Sequence, residues 1–267
     1  MTLADTKERA LPWHAGQTLD DYLVYLKQLA LYHFAAGLCQ GKIVLDLGCG
    51  EGYGSASLAR SARQVVAADY SFEAVVHARN NYAAQNLAFV VCDARHLPFR
   101  DDAFDALVSF EVIEHMQSVP EYLAEIKRVL PRKTTAILST PNRLLRLLPF
   151  QKPWNRYHVR EYDDREFARV LNAAFVRVQL LGATAIPPIL EIEKRRVKQN
   201  PFVAYPRMLA QMLLPRSIYA LLKGAEPPAP PAKIHEDWNA GAFSVNDFML
   251  SADELRECIT LVAVCER

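Results

Sequence analysis

The sequence is short of residues that staple a fold, cross a membrane or steer a charged partner. Its five cysteines, Cys39, Cys49, Cys92, Cys258 and Cys265, are odd in number and form no C-x-x-C pair. Neither a disulfide framework nor a thiolate zinc site is therefore expected. No apolar run approaches the ~20 residues that span a bilayer, and no basic stretch followed by an apolar signal core stands near the amino terminus. The expectation is a cytoplasmic protein, at most peripheral to a membrane. An excess of one charge is also missing: 31 basic residues face 30 acidic ones, so no whole-molecule field selects nucleic acid or an acidic partner. What is present is apolar material, 51% of 267 residues, enough for one large core with an appended segment.

That material is ordered along the chain. Leu19, Leu23, Leu26, Leu29, Ala30 and Phe34 recur at helical spacing and predict a helix over 19–38 that packs beside the main domain. Apolar runs at 43–47, 64–69, 88–92, 106–110 and 135–139 alternate with helical stretches at 53–60, 71–84 and 120–130. Continuous apolar strands separated by helices predict a doubly wound α/β fold, a mostly parallel sheet covered on both faces. A helix at 163–174, a strand at 175–182 and a final strand at 260–265 complete it. The chain divides into an N-terminal helical segment (1–40), a core (41–182), an insert (183–258) and the last strand (259–267). The insert carries the basic cluster Lys194, Arg195, Arg196 and Lys198, apolar helices at 208–214 and 218–222, and prolines 227, 228, 230 and 231, which favour an extended linker.

The first strand runs into DLGCGEGYG, Asp46 to Gly54, and then a helix. Glycines 48, 50 and 52 let the backbone turn sharply and approach a ligand, and the helix start presents unpaired N–H groups. Asp69 ends the second strand, where a carboxylate can accept from both hydroxyls of a ribose. Asp93, after the third strand, is a further acceptor. A G-x-G-x-x-G dinucleotide fingerprint fails here, because the third glycine would fall on Tyr53 or on Ser55.

Asp46-x-Gly48-x-Gly50-x-Gly52, Asp69, Asp93 followed by Leu97-Pro98-Phe99, and Phe104-Asp105 together resemble the class I S-adenosylmethionine (SAM) dependent methyltransferases. The resemblance covers about 42–182 plus the final strand. It implies a seven-stranded sheet with an antiparallel last strand and SAM as cofactor. The glycine loop would lie along the methionine portion, Asp69 would bind ribose and Asp93 the adenine amino group. Cys49, Tyr70, Ala94 and Phe110 complete the expected cofactor site.

Ligands in such sheets sit at the carboxyl ends of the strands, so Glu111 to His115 and the segment 141–158 should line the acceptor side. Were the first of these helical, Glu111, Glu114 and His115 would share a face at i, i+3 and i+4. This ExxEH element, with His158 to follow, resembles ubiquinone-pathway O-methyltransferases and small-RNA 3′-terminal 2′-O-methyltransferases. That resemblance implies a divalent metal on Glu111, Glu114, His115 and His158; without metal, His115 or His158 is the expected general base.

Ser139 to Asn142, the 157–162 motif and the late insert resemble methyltransferases of glycan and secondary-metabolite pathways, implying hydroxyl methylation of a small, saccharide or lipid-linked acceptor. The insert is the expected lid that selects the acceptor, and its stretch 183–224, with a basic cluster beside apolar helices, offers a membrane or lipid-linked phosphate contact as the alternative. Two other classes stay open: an RNA terminal 2′-O-methyltransferase, for which no broad basic surface is seen, and a non-catalytic SAM-binding protein. The sequence does not specify an oligomeric state.

Overall fold

The computed structural model describes residues 18–153, 155–197, 242–253 and 255–267. Lys198, both apolar helices of the insert and its proline-rich stretch lie outside them. Eight strands form one sheet: β1 (Ile43–Leu47), β2 (Gln64–Asp69), β3 (Leu87–Val91), β4 (Ala106–Phe110), β5 (Thr135–Pro141), β6 (Arg177–Ala185), β7 (Phe248–Ser251) and β8 (Thr260–Glu266). Their spatial order is β3-β2-β1-β4-β5-β8-β6-β7. Strands β1 to β5 are mutually parallel, as continuous apolar runs demand, with Ile43 opposite Gln64 and Leu107 opposite Ala136. The final strand β8 runs antiparallel between β5 and β6. Strand β7 is additional to the seven expected; it pairs antiparallel with the outer edge of β6, placing Phe248 opposite Ala185. At four residues, it was too short to register as a period within the insert.

The helices are α1 (Leu19–Leu38), α2 (Tyr53–Ala59), α3 (Phe72–Asn81), α4 (Val119–Val129), α5 (Arg143–Arg146), α6 (Asp164–Asn172) and α7 (Pro187–Val197). Their starts are set locally. Thr18, Ser71 and Asp163 each accept a backbone N–H of the first turn, and Pro120 occupies the first turn of α4, where its missing N–H is harmless.

Alternate strand residues face opposite layers. Leu45, Leu107 and Leu138 pack with Ile126, Tyr122 and Phe167 of α4 and α6. Val44, Val65, Val108 and Ile137 pack with Leu31, Ala35 and Leu58 of α1 and α2. A third cluster joins Leu19, Leu23 and Leu26 of α1 to Ile189 of α7 and Phe248 of β7. Helix α1 is thus embedded between the core and the start of the insert, and its buried side includes Lys27, Gln28 and Tyr32. The strand order reverses between β1 and β4, and the crevice at their carboxyl ends is the site.

Candidate cofactor and acceptor site

The loop after β1 turns through left-handed backbone at Gly48 (φ +83°) and Gly52 (φ +88°). A Cβ on Gly48 would lie 2.2 Å from Val112 Cγ2, and one on Gly52 would lie 2.7 Å from the Ala78 Cβ. Glycine is therefore required twice over, by conformation and by contact. The Gly48 and Cys49 amides donate to the Ala68 carbonyl at 2.7 and 3.0 Å, tying the loop to β2.

Asp69 is clamped from both sides. The Gly50 amide donates to Oδ2 at 2.9 Å and the Ser71 amide to Oδ1 at 2.8 Å. Each oxygen has further acceptor capacity on the cleft side, enough for a pair of vicinal hydroxyls. Asp93 also lines the cleft, but Arg95 chelates it, with Nη2 at 2.7 Å and Nε at 3.1 Å. Hydrogen bonds from Arg95 hold the Asp93 carboxyl down at about 2. Tyr70 presents a 79% exposed ring at the rim.

Asp46 does not stand in the cleft wall. It is buried beneath the loop, where Ser55 Oγ donates to it at 2.6 Å and Tyr32 OH at 3.2 Å. Burial pushes this carboxyl up to about 7 even though Ser55 and Tyr32 stabilise its charged form. The Tyr32 ring packs edge-on against Phe110 at 5.0 Å. Tyr32 and Gln28 of α1 thereby form part of the cleft wall. Sequence reasoning set this helix beside the domain; its signal was two polar residues, Lys27 and Gln28, on a side that the structure buries.

The ExxEH element divides. Instead of a regular helix, only a 3-10 turn forms over Ile113–His115. Glu111 precedes it with φ of +53°, a left-handed exit from β4. Its carboxylate turns toward Lys27 Nζ at 2.9 Å and Thr260 Oγ1 at 3.1 Å. Burial alone would raise Glu111, but Lys27, Arg146 and the Thr260 hydroxyl together hold it below its usual value. The four-residue set read from the sequence is corrected accordingly: only Glu114, His115 and His158 come together, with ligand atoms all within 4.8 Å of one another. Convergence at i, i+3 and i+4 needs regular helical turns, and the left-handed residue breaks them.

Glu114 is fully buried and accepts from Thr140 Oγ1 at 3.1 Å. Burial, and then the neighbouring Glu111 charge, push its carboxyl well above the usual range. The His115 and His158 rings meet edge to face at 4.8 Å. His115 Nδ1 lies 3.1 Å from the Tyr157 carbonyl. A carbonyl only accepts, so the neutral ring carries its proton on Nδ1 and its basic lone pair on Nε2. His158 Nδ1 lies 2.7 Å from Glu161 Oε1, and Arg146 Nε lies 3.2 Å from Glu161 Oε2. Arg146 and His158 thus hold this buried carboxylate from two sides.

The cleft encloses about 540 Å³, and its lining includes Glu51, Asp69, Asp93, Glu111, Arg95 and His115. Its size suits a small molecule, and the excess of carboxylates suits a cation. Glu51 was not singled out from the sequence, since a buried acid inside a glycine loop has no period to reveal it.

Residues 45–138 match the methyltransferase domain family. The chain is 33% identical over 71% of its length, and 68% of the relative's, to a Mycobacterium tuberculosis protein named "Probable S-adenosylmethionine-dependent methyltransferase". Over shorter stretches it is 35% identical to a fatty-acid O-methyltransferase of Mycolicibacterium smegmatis, covering 38% of this chain and 39% of that one. It is 32% identical to a ubiquinone/menaquinone biosynthesis C-methyltransferase of Desulfotalea psychrophila, covering 43% and 49%. A SAM-dependent methyltransferase of Thermotoga maritima shares the fold, with a TM-score of 0.57 at 13% identity over 95% of this chain and 98% of that one. The chain belongs to the SAM-dependent methyltransferases, with the class I Rossmann-like fold, and its cofactor is SAM. The loop that Gly48 and Gly52 shape, the clamped Asp69 and the carboxylate-rich lining all fit that cofactor.

Proposed function

We propose that the enzyme methylates a hydroxyl oxygen of a small, polyhydroxylated or lipid-linked acceptor, with His115 as general base. The observation that carries this reading is the His115 tautomer: Nδ1 is tied to the Tyr157 carbonyl on a residue that lines the cleft, so the basic nitrogen is Nε2. A neutral alcohol requires a base of this kind as its oxygen attacks, whereas an amine with a free lone pair does not; a carbon acid must lose its proton as well. The shorter relatives are named for oxygen and carbon acceptors alike, so the base argues against an amine and the position of the transferred methyl separates oxygen from carbon.

When bound, SAM supplies an electrophilic methyl on a sulfonium. The side chains contribute alignment and proton removal, which an in-line displacement chiefly needs. Asp69 accepts from the ribose hydroxyls, the carboxylates of the lining favour the sulfonium charge, and Asp93 with Arg95 borders the adenine end. His115 takes the acceptor proton at Nε2, and the Tyr157 carbonyl then stabilises the imidazolium through Nδ1–H. His158, held by Glu161, backs the His115 ring.

A second reading has one observation in its favour. Glu114, His115 and His158 offer an oxygen and two nitrogens close enough to hold one divalent ion, a mixed donor set that suits manganese, iron or zinc better than magnesium. Such an ion would lower the acceptor hydroxyl's pKa. Elemental analysis of gently purified protein, with assays before and after exhaustive chelation, decides it: metal-free protein with unchanged turnover removes the ion.

The main reading is tested with labelled SAM and fractionated cell extracts, followed by chemical location of the labelled methyl. We expect an ether methyl, and a loss of turnover of ~10²–10⁴-fold in His115→Ala with binding of S-adenosylhomocysteine retained. A methyl on carbon or nitrogen, label confined to RNA, or no acceptor in any fraction would overturn it.

A further inference from the structure

The segment 143–160 carries Arg143, Arg146, Lys152, Arg156 and Arg160 and contains no aspartate or glutamate, in a chain whose charges nearly balance as a whole. Several of its apolar side chains point into solvent: Phe150 is 91% exposed, Val159 54% and Leu144 42%. Phe150 also adopts φ of +63°, left-handed backbone that bulky residues disfavour. The chain thus bears a conformational penalty to present a phenyl ring that the described fold does not bury.

The segment connects two depressions. At one end Leu144, Leu147 and Leu148 line a groove of about 620 Å³ together with Lys194, Arg195 and Arg256. At the other, Tyr157 lines the cofactor cleft. Arg143, Arg146 and Arg160 pair with Asp163, Glu161 and Glu166. Lys152 is exposed, and Arg156 lies over the Tyr157 ring at 4.5 Å. The basic cluster that marked the insert as a lipid contact is, where described, largely paired: Arg196 with the buried Glu193, and Lys194 with Glu191 and Glu257.

Exposed apolar and aromatic side chains interleaved with cations match the boundary between headgroups and acyl chains. With Arg143, Arg146 and Arg160 matched by acids, the exposed Lys152 and Arg156 remain as the positive charge that selects an anionic surface. We propose that the face formed by 143–153 and 155–160 seats the enzyme on an anionic lipid surface, with Phe150 entering the acyl boundary and Lys152 and Arg156 at the headgroup phosphates. Tyr157, at the cleft wall, then lies beside the membrane, which gives lipid-embedded acceptors direct entry. The docking is independent of the atom that is methylated.

The test is vesicle flotation of the full chain, without acceptor. It should float with phosphatidylglycerol mixed into phosphatidylcholine, remain behind with phosphatidylcholine alone, and release at high salt. Phe150→Asp with Lys152→Glu and Arg156→Glu should lower partitioning by at least ~ten-fold. Phe150→Ser alone should lower it less, and both variants should bind S-adenosylhomocysteine as the unmodified chain does. No flotation of the unmodified chain, equal flotation on neutral vesicles, or flotation indifferent to both variants would overturn the assignment; the last would move the contact elsewhere, for instance to 198–241.

Discussion

Replacing Gly54 with alanine should destabilise the protein, against the usual direction for a helical glycine. In α2 the substitution would ordinarily gain up to ~1 kcal/mol, because alanine loses less backbone entropy. Here the new Cβ would stand 2.0 Å from Tyr32 Cε2 and 2.1 Å from Cζ. Restoring a carbon–carbon separation of ~3.5 Å requires the ring to retreat by roughly 1.5 Å. The ring has little room: it is 5% exposed, with Tyr53 at 6.1 Å and Phe110 at 5.0 Å between centroids. Retreat also breaks the contacts of 3.2 and 3.3 Å from Tyr32 OH to the buried Asp46. Overpacking costs about 1–3 kcal/mol and a lost buried hydrogen bond about 1–3 kcal/mol. The net expectation is destabilisation of about 3 kcal/mol, read from urea denaturation, with weaker binding of S-adenosylhomocysteine in calorimetry because Tyr32 forms part of the cleft wall. In a double-mutant cycle, Tyr32→Ala should absorb most of the Gly54→Ala penalty. A Gly54→Ala variant as stable as the parent, with unchanged affinity, would refute the packing argument.

Asp69→Ala should weaken S-adenosylhomocysteine binding by at least ~ten-fold, since hydrogen bonds to a charged acceptor contribute about 1.5–3 kcal/mol; equal calorimetric affinities would contradict the ribose assignment. Lys27→Met leaves the Glu111 carboxylate largely buried without its cation and should cost about 2–3 kcal/mol, below the range for fully buried pairs because Glu111 borders the open cleft. Glu111 is held below its ordinary value in the fold, so that advantage is complete at neutral pH and shrinks as the pH falls below ~4. A difference in urea midpoint independent of pH would count against the pair. Asp46 behaves oppositely, because its folded value of about 7 lies above the usual 3.8 and the native state keeps a proton that the unfolded chain releases. Its contribution therefore declines as pH rises from ~4 to ~7 and levels off above, by a few kcal/mol at most. Asp46→Asn should flatten that slope in denaturation curves at pH 5 and pH 8, and parallel slopes would show that Asp46 ionises normally.

The local chain determined the parts whose signal is carried by neighbours in sequence. Apolar runs of about five residues specified the parallel strands β1 to β5: β1, β4 and β5 are buried on both faces and have few polar positions to place, and β3 keeps an apolar run at the sheet edge. The spacing of Gly48, Gly50 and Gly52 and the acids at the ends of β2 and β3 were legible for the same reason: each belongs to one strand and the turn that follows it. Only tertiary structure decided how the acceptor side is divided. Glu111 leaves the ExxEH cluster for Lys27, 84 residues away, and Thr260, 149 residues away, and no period in the chain encodes contacts of that separation. Helix α1 became a cleft wall because its buried side reaches the glycine loop through Tyr32 and Asp46, and Arg95 turned back onto Asp93. Local periodicity reports which face is apolar; the partner that an inward-facing polar group finds depends on packing between distant segments.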